Sequence, residues 1–140
     1  MNNFLLNIKI NSKNKNIPSI NDFYKWISYF KKKTFLTINI NIVNTKKIKY
    51  LNKLYKKKNK ETNVLTFDLN FKKNKNITGN IIFCPSIIQK EATILQKPII
   101  THWKYLTIHS ILHLKGYSHN IIKNTLKMEL IEEEIMLNIK

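Results

Sequence analysis

The sequence predicts an α+β fold: a single small domain spanning residues 1–140, with a four-stranded mixed β-sheet covered by about five helices. Three observations carry that prediction. Four short segments are rich in β-favouring residues, the clearest being the alternation of Ile38, Ile40 and Ile42 with Asn39 and Asn41. Other segments repeat apolar residues at the three- and four-residue spacing of a helix face. The elements also run strand, helix, strand, helix, strand, strand, then helices, so strands and helices do not alternate strictly. No repeat or long flexible linker separates modules.

Residues 3–10 (Asn-Phe-Leu-Leu-Asn-Ile-Lys-Ile) form the first predicted strand, followed by a polar loop. Pro18-Ser19 opens a helix whose Ile20, Phe23, Tyr24, Ile27 and Phe30 line one face, with Trp26 also expected in the core. Residues 34–43 are the second strand. Asn44 or Thr45 caps the next helix, with Ile48, Leu51 and Leu54/Tyr55 inward and Lys49, Lys53, Lys56 and Lys60 outward. That lysine row is read either as a solvated face or as a phosphate-binding stripe. Residues 63–70 make the third strand and Gly79–Cys84 the fourth, after a lysine-asparagine turn. Pro85 and Pro98 each suit a first helical position, which places helices at about 86–96 and 98–115. Residues 121–138 read as an amphipathic helix burying Leu126, Leu130, Ile131, Ile135 and Met136, its glutamates facing out.

A chain of 140 residues buries about two thirds of its unfolded surface and so sustains its own core. Its one cysteine, Cys84, excludes an internal disulfide, suits a reducing compartment and is read as a buried thiol outside any site. No apolar run approaches the ~20 residues of a membrane span, and Phe4-Leu5-Leu6 is too short for a signal-peptide core. A cytoplasmic protein with no membrane partner is expected. The net charge of +17 suits a phosphate-bearing partner. All 25 basic residues are lysine, however, which an AT-rich coding sequence would also produce. The distribution is more informative: Glu129, Glu132, Glu133 and Glu134 are half of the eight acids, whereas residues 1–60 hold only Asp22. One side of the molecule is thereby left able to attract a polyanion.

The chemistry concentrates between His109 and His119, in a C-terminal-half helix and the loop that follows. This stretch holds three of the four histidines and one of the two glycines. His109 and His113 stand at i and i+4, so their rings share a helix face about 6 Å apart. Gly116 can take the left-handed conformation that ends a helix, letting His119 return toward the same point. Three imidazoles with one position left for water suit a single zinc ion. The spacing matches the histidines of metzincin proteases, but their general-base glutamate is Ser110 here, which disfavours a peptidase. His102 lies about 10 Å along the helix axis from His109, too far to share the ion, and is assigned to packing or a groove wall.

His102-Trp103 through His109-Ser-Ile-Leu-His-Leu-Lys-Gly-Tyr-Ser-His119 closely resembles the YbeY family, whose motif reads approximately His-Gly-x-Leu-His-Leu-x-Gly-Tyr-Asp-His. Leu51–Lys56 with Thr62–Phe67, Gly79–Cys84 and Met128–Met136 resemble it in the same order, so the likeness runs from about residue 45 onward. The resemblance implies a single-strand-specific, metal-dependent endoribonuclease acting in small-subunit (16S) rRNA maturation and ribosome quality control. Its zinc would be held by His109, His113 and His119. Its partners would be rRNA and the small ribosomal subunit, with no DNA expected. Lys56 falls where the family places an active-site arginine; a lysine keeps the charge and loses the bidentate fork. Three departures accompany it: Ser118 for an aspartate beside the third histidine, Ser110 for a glycine, and Asn80 for an aspartate. The alternative reading is a non-catalytic RNA-binding assembly factor with structural zinc.

Overall fold

The computed structural model describes residues 4–10, 16–30, 35–69, 76–116 and 122–139. Its order is β1 (Phe4–Ile10), α1 (Ile20–Ser28), β2 (Leu36–Ile42), α2 (Thr45–Lys56), β3 (Val64–Asp68), β4 (Ile77–Phe83), α3 (Pro85–Ile94), α4 (Ile99–Leu114) and α5 (Ile122–Asn138). This is the expected small α+β arrangement, a four-stranded mixed sheet with five helices. The strands lie side by side as β1-β2-β4-β3. β2 pairs in parallel with both β1 and β4, while β3 pairs antiparallel with β4. Parallel neighbours need a crossover, which α1 supplies for β1 to β2; β3 and β4 are joined directly and can run antiparallel.

Local signals start the helices where the sequence places them. Ser19 and Asp22 form a reciprocal capping box at α1, and the Asn44 side chain accepts from the Lys47 amide at α2. Pro85 occupies the first turn of α3, whereas Pro98 is the N-cap of α4 rather than its first helical residue.

The alternation of β2 sends Leu36, Ile38, Ile40 and Ile42 into the core on one sheet face. α4 lies against that face and is the most buried helix: Trp103 is fully enclosed and touches Phe83 (5.0 Å between ring centroids) and Phe23 (6.0 Å). The other face is partly covered by α2, where Ile48 packs with Leu65, Ile82 and Cys84.

Two expected faces are revised. In α2, Ile48 is buried and Leu51 packs partly buried as expected, but Leu54 and Tyr55 are exposed and the second buried position is Asn52, whose amide donates to the Lys60 carbonyl at 3.0 Å. The last turn of α2 lies against the Phe67 ring of the edge strand β3 through Tyr55 and Lys56, while Asn52 holds the following loop. In α5, Ile135 is buried and Ile131 and Met136 pack partly buried against the core as expected, but Leu126 and Leu130 are exposed, and Met128, Glu132 and, just past the helix, Ile139 are buried instead. The buried face thus keeps the C-terminal half of the expected stripe and shifts, in its first turns, to a side that includes a glutamate.

Candidate metal centre

The end of α4 comes unusually close to the sheet because Gly79 of β4 lies beneath it. A Cβ at Gly79 would meet Leu114 at 2.5 Å and the Phe67 carbonyl oxygen at 2.8 Å, closer than side chains pack. Gly116 has φ +103°, and its amide bonds to the His113 carbonyl at 3.0 Å, so α4 ends where the sequence predicts. The Ser110 hydroxyl, fully buried, donates to the Leu106 carbonyl at 2.8 Å and so carries no unsatisfied polar group into the core.

His109 and His113 project from this segment with their Nε2 atoms 3.0 Å apart and ring centroids 4.5 Å apart. On its other side, His109 Nδ1 lies 2.7 Å from Oε1 of Glu132 on α5, a carboxylate 2 % exposed. An ionised carboxylate only accepts, so the ring proton belongs on Nδ1 and the Nε2 lone pair points toward His113. Tyr105 packs between His102 and His109, and its hydroxyl pKa is raised, first by burial and then by the charge and hydrogen bonding of Glu132.

The two histidines open onto a cleft of about 610 Å³ between the β3 edge and α4, lined also by Lys56, Lys58, Thr62, Asn63, Thr66, Asp68 and Leu114. Lys57 closes α2 in the left-handed region (φ 58°), and the buried Asn52 side chain anchors the loop beyond it. Together these present Lys56 and Lys58 to the cleft. Lys56 Nζ also lies 5.3 Å from the centroid of the Phe67 ring.

His109, His113 and Lys56 are thus brought to one cleft. His119, the expected third ligand, and Ser118 lie outside the described residues. Among the described residues no three of His, Cys, Asp or Glu gather as a metal set. Cys84 is fully buried, with Sγ 3.6 Å from the Ser86 hydroxyl. His102 is 4 % exposed and its Nε2 lies 2.9 Å from Oε1 of Glu91, which also accepts from the Asn63 amide at 2.9 Å. That chain of contacts ties the start of β3 to α4, fixing the two walls of the cleft against each other.

Glu132, Glu91 and Asn52 are residues that sequence reasoning missed. For Glu132 a signal existed: Met128, Glu132, Ile135 and Ile139 recur at spacings of four, three and four, so one glutamate of the acidic run shares the apolar stripe.

The sequence profile of the family described as "Endoribonuclease YbeY" matches residues 6–140. The chain belongs to the YbeY family. The "Endoribonuclease YbeY" of Buchnera aphidicola subsp. Schizaphis graminum is 44% identical over 141 residues, covering 97% of this chain and 89% of that protein. The protein of the same name from Wigglesworthia glossinidia brevipalpis is 39% identical, covering 94% and 91%. A solution structure of a Thermotoga maritima protein superimposes with a TM-score of 0.61 at 22% identity, covering 94% of this chain and 87% of that one, which supports the fold alone. The YbeY match includes most of the first strand and the first helix, where the sequence by itself carries nothing diagnostic.

Proposed function

We propose that this YbeY-family chain is a zinc-dependent endoribonuclease of the cytoplasm that cuts single-stranded RNA, acting on small-subunit (16S) rRNA during maturation and quality control. The observation that carries the reading is the pair of imidazole nitrogens, one oriented by a buried carboxylate, facing a lysine-edged cleft. Two Zn–N bonds of 2.0–2.1 Å at a tetrahedral angle separate their nitrogens by about 3.3 Å. The His109 and His113 nitrogens stand 3.0 Å apart, so the donors fit with a shift of a few tenths of an ångström. The Glu132 contact is the carboxylate–histidine partnership that accompanies such ligands.

In this reading His109, His113 and His119 hold one zinc ion. When bound, it supplies Lewis acidity, withdrawing charge from a phosphate oxygen and acidifying water beside it. Glu132 keeps the His109 proton on Nδ1, so that the Nε2 lone pair is the donor. Lys56, with Lys58 beside it, attracts the scissile phosphate and offsets charge that builds on it in the transition state. The Asn63–Glu91–His102 contacts hold the cleft at a fixed width. Twenty-five lysines against eight acids favour a polyanionic substrate, and no described helix is long and apolar enough to cross a membrane.

The test combines elemental analysis with cleavage of labelled single-stranded and duplex RNA. Purified protein should carry stoichiometric metal and cut the single strand. His109→Ala, His113→Ala and His119→Ala should each lose both the metal and the cutting while retaining helical circular dichroism. Undiminished metal in all three variants would overturn the ligand set. Salt-sensitive RNA binding without metal-dependent cutting would replace the enzyme with a binding factor for the small subunit.

A further inference from the structure

The strand registers place Asn7, Asn39, Asn80 and Phe67 in one row across β1, β2, β4 and β3. Register partners share a sheet face, and this row lies on the face opposite α4. Its amides are joined: Asn7 Nδ2 donates to Asn39 Oδ1 at 3.1 Å, and Asn39 Nδ2 donates to Asn80 Oδ1 at 3.0 Å. Three strand spacings make the row about 14 Å long. α2 covers the Phe67 end, while the β1–β2 end opens into a hollow of about 260 Å³ lined by Asn7, Lys9, Asn39, Asn41 and Asn80.

The two ends carry positive charge. Lys9 is the register partner of Asn41 at one end. At the other, Lys56 Nζ lies over the Phe67 ring, and Tyr55 packs against the same ring while 60 % exposed. Lys56 also lines the cleft beside His109 and His113, so the row begins where the cleft ends, around the edge strand β3. Of the elements that frame it, β1 holds one lysine and α2 five, and the one acid among these strands and α2 is Asp68 of β3, which lies on the cleft side of the edge strand.

These are the groups that a single strand of nucleic acid engages. An exposed ring offers a stacking surface to any base, and lysines meet phosphates. Each ladder amide nitrogen carries two hydrogens, of which the ladder uses at most one, so a donor remains for a base edge. We propose that this row is a second binding stretch for single-stranded RNA. It guides the part of the substrate leaving the cleft past Lys56, around β3 and across the open sheet face. The proposal rests on the RNA-cleaving reading above and deepens it.

Fluorescence anisotropy with RNAs of about 4 and about 16 nucleotides tests it, since only the longer strand can fill both cleft and row. The wild type should prefer the long RNA by about ten-fold or more, a gap that charge repulsion in Lys9→Glu/Asn41→Asp should mostly close. Lys9→Glu alone, at an exposed position, should narrow it in part and serves if the double variant is poorly folded. An unchanged preference in folded variants of a wild type that cuts RNA would overturn the row and leave the cleavage reading intact. A wild type that neither binds nor cuts RNA would overturn both.

Discussion

The carboxylate of Glu132 lies 2.7 Å from Nδ1 of His109, although 23 positions separate them in the chain. α5 thereby fixes the orientation of a ring carried by α4. Removing the carboxylate should loosen that ring: Glu132→Ala is expected to lower zinc affinity about 10- to 100-fold, read by competition with a chromophoric chelator. Glu132→Gln, whose amide oxygen can still accept, should lose less. Equal affinity in both variants and the wild type would show that the contact does not serve the metal.

Lys56 gives a second prediction. Its charge should matter for phosphate binding, while its shape leaves room for improvement, because an ammonium cannot form the planar fork of a guanidinium. Lys56→Ala should reduce kcat/KM for RNA by about 10- to 100-fold, equivalent to about 1.4–2.7 kcal/mol of transition-state stabilisation. Lys56→Arg should match or exceed the wild type. Steady-state cleavage of one labelled oligonucleotide series measures all three.

The contact between Leu114 and Gly79 predicts an effect on stability. A methyl group at Gly79 has no room against Leu114, and the Phe67 carbonyl on its other side is backbone that cannot step aside. Gly79→Ala should therefore cost about 1–3 kcal/mol in urea unfolding. Pushing α4 off the sheet should also weaken metal binding. Gly79→Ala paired with Leu114→Ala should recover part of the first loss and couple non-additively with it.

Lys104 supplies the pH dependence. Its pKa is lowered, mainly by burial and further by the nearby Lys25 charge, while its ammonium donates to the Met136 and Ile139 carbonyls. Between its folded pKa and the unfolded value of 10.5, the unfolded state holds the proton more tightly, so stability rises with pH across that window. The wild-type advantage over Lys104→Met should accordingly grow as the pH rises toward 10.5 in urea titrations, and Lys25→Gln should shrink that growth.

Much of the fold was legible from local patterns. The Ile-Asn alternation of β2, the helix start at Pro18-Ser19, the Asn44 cap and the helix-ending Gly116 each act within a few residues of themselves, and each is found where the sequence places it. The inward faces of α2 and α5 were harder. Leu54 and Leu130 have the hydrophobicity of core residues, but which stripe a helix buries depends on what lies beneath it. The last turn of α2 meets the Phe67 ring of the edge strand and the following loop, and α5 has the His109 ring. Burying Glu132 is favourable because His109 and the Tyr105 hydroxyl answer it, and compensation of that kind leaves no trace in composition.

The sequence by itself determined the α+β order of elements, the helical pairing of His109 with His113, the stop at Gly116 and the lysine excess. Each of these follows from residue type and short-range spacing. Only the tertiary structure decided that Glu132 orients His109, that Glu91 binds β3 to α4 through Asn63 and His102, and that three asparagines from separate strands join into one row. Those contacts depend on sheet register and helix packing, which bring together residues tens of positions apart once a shared core has fixed their relative places.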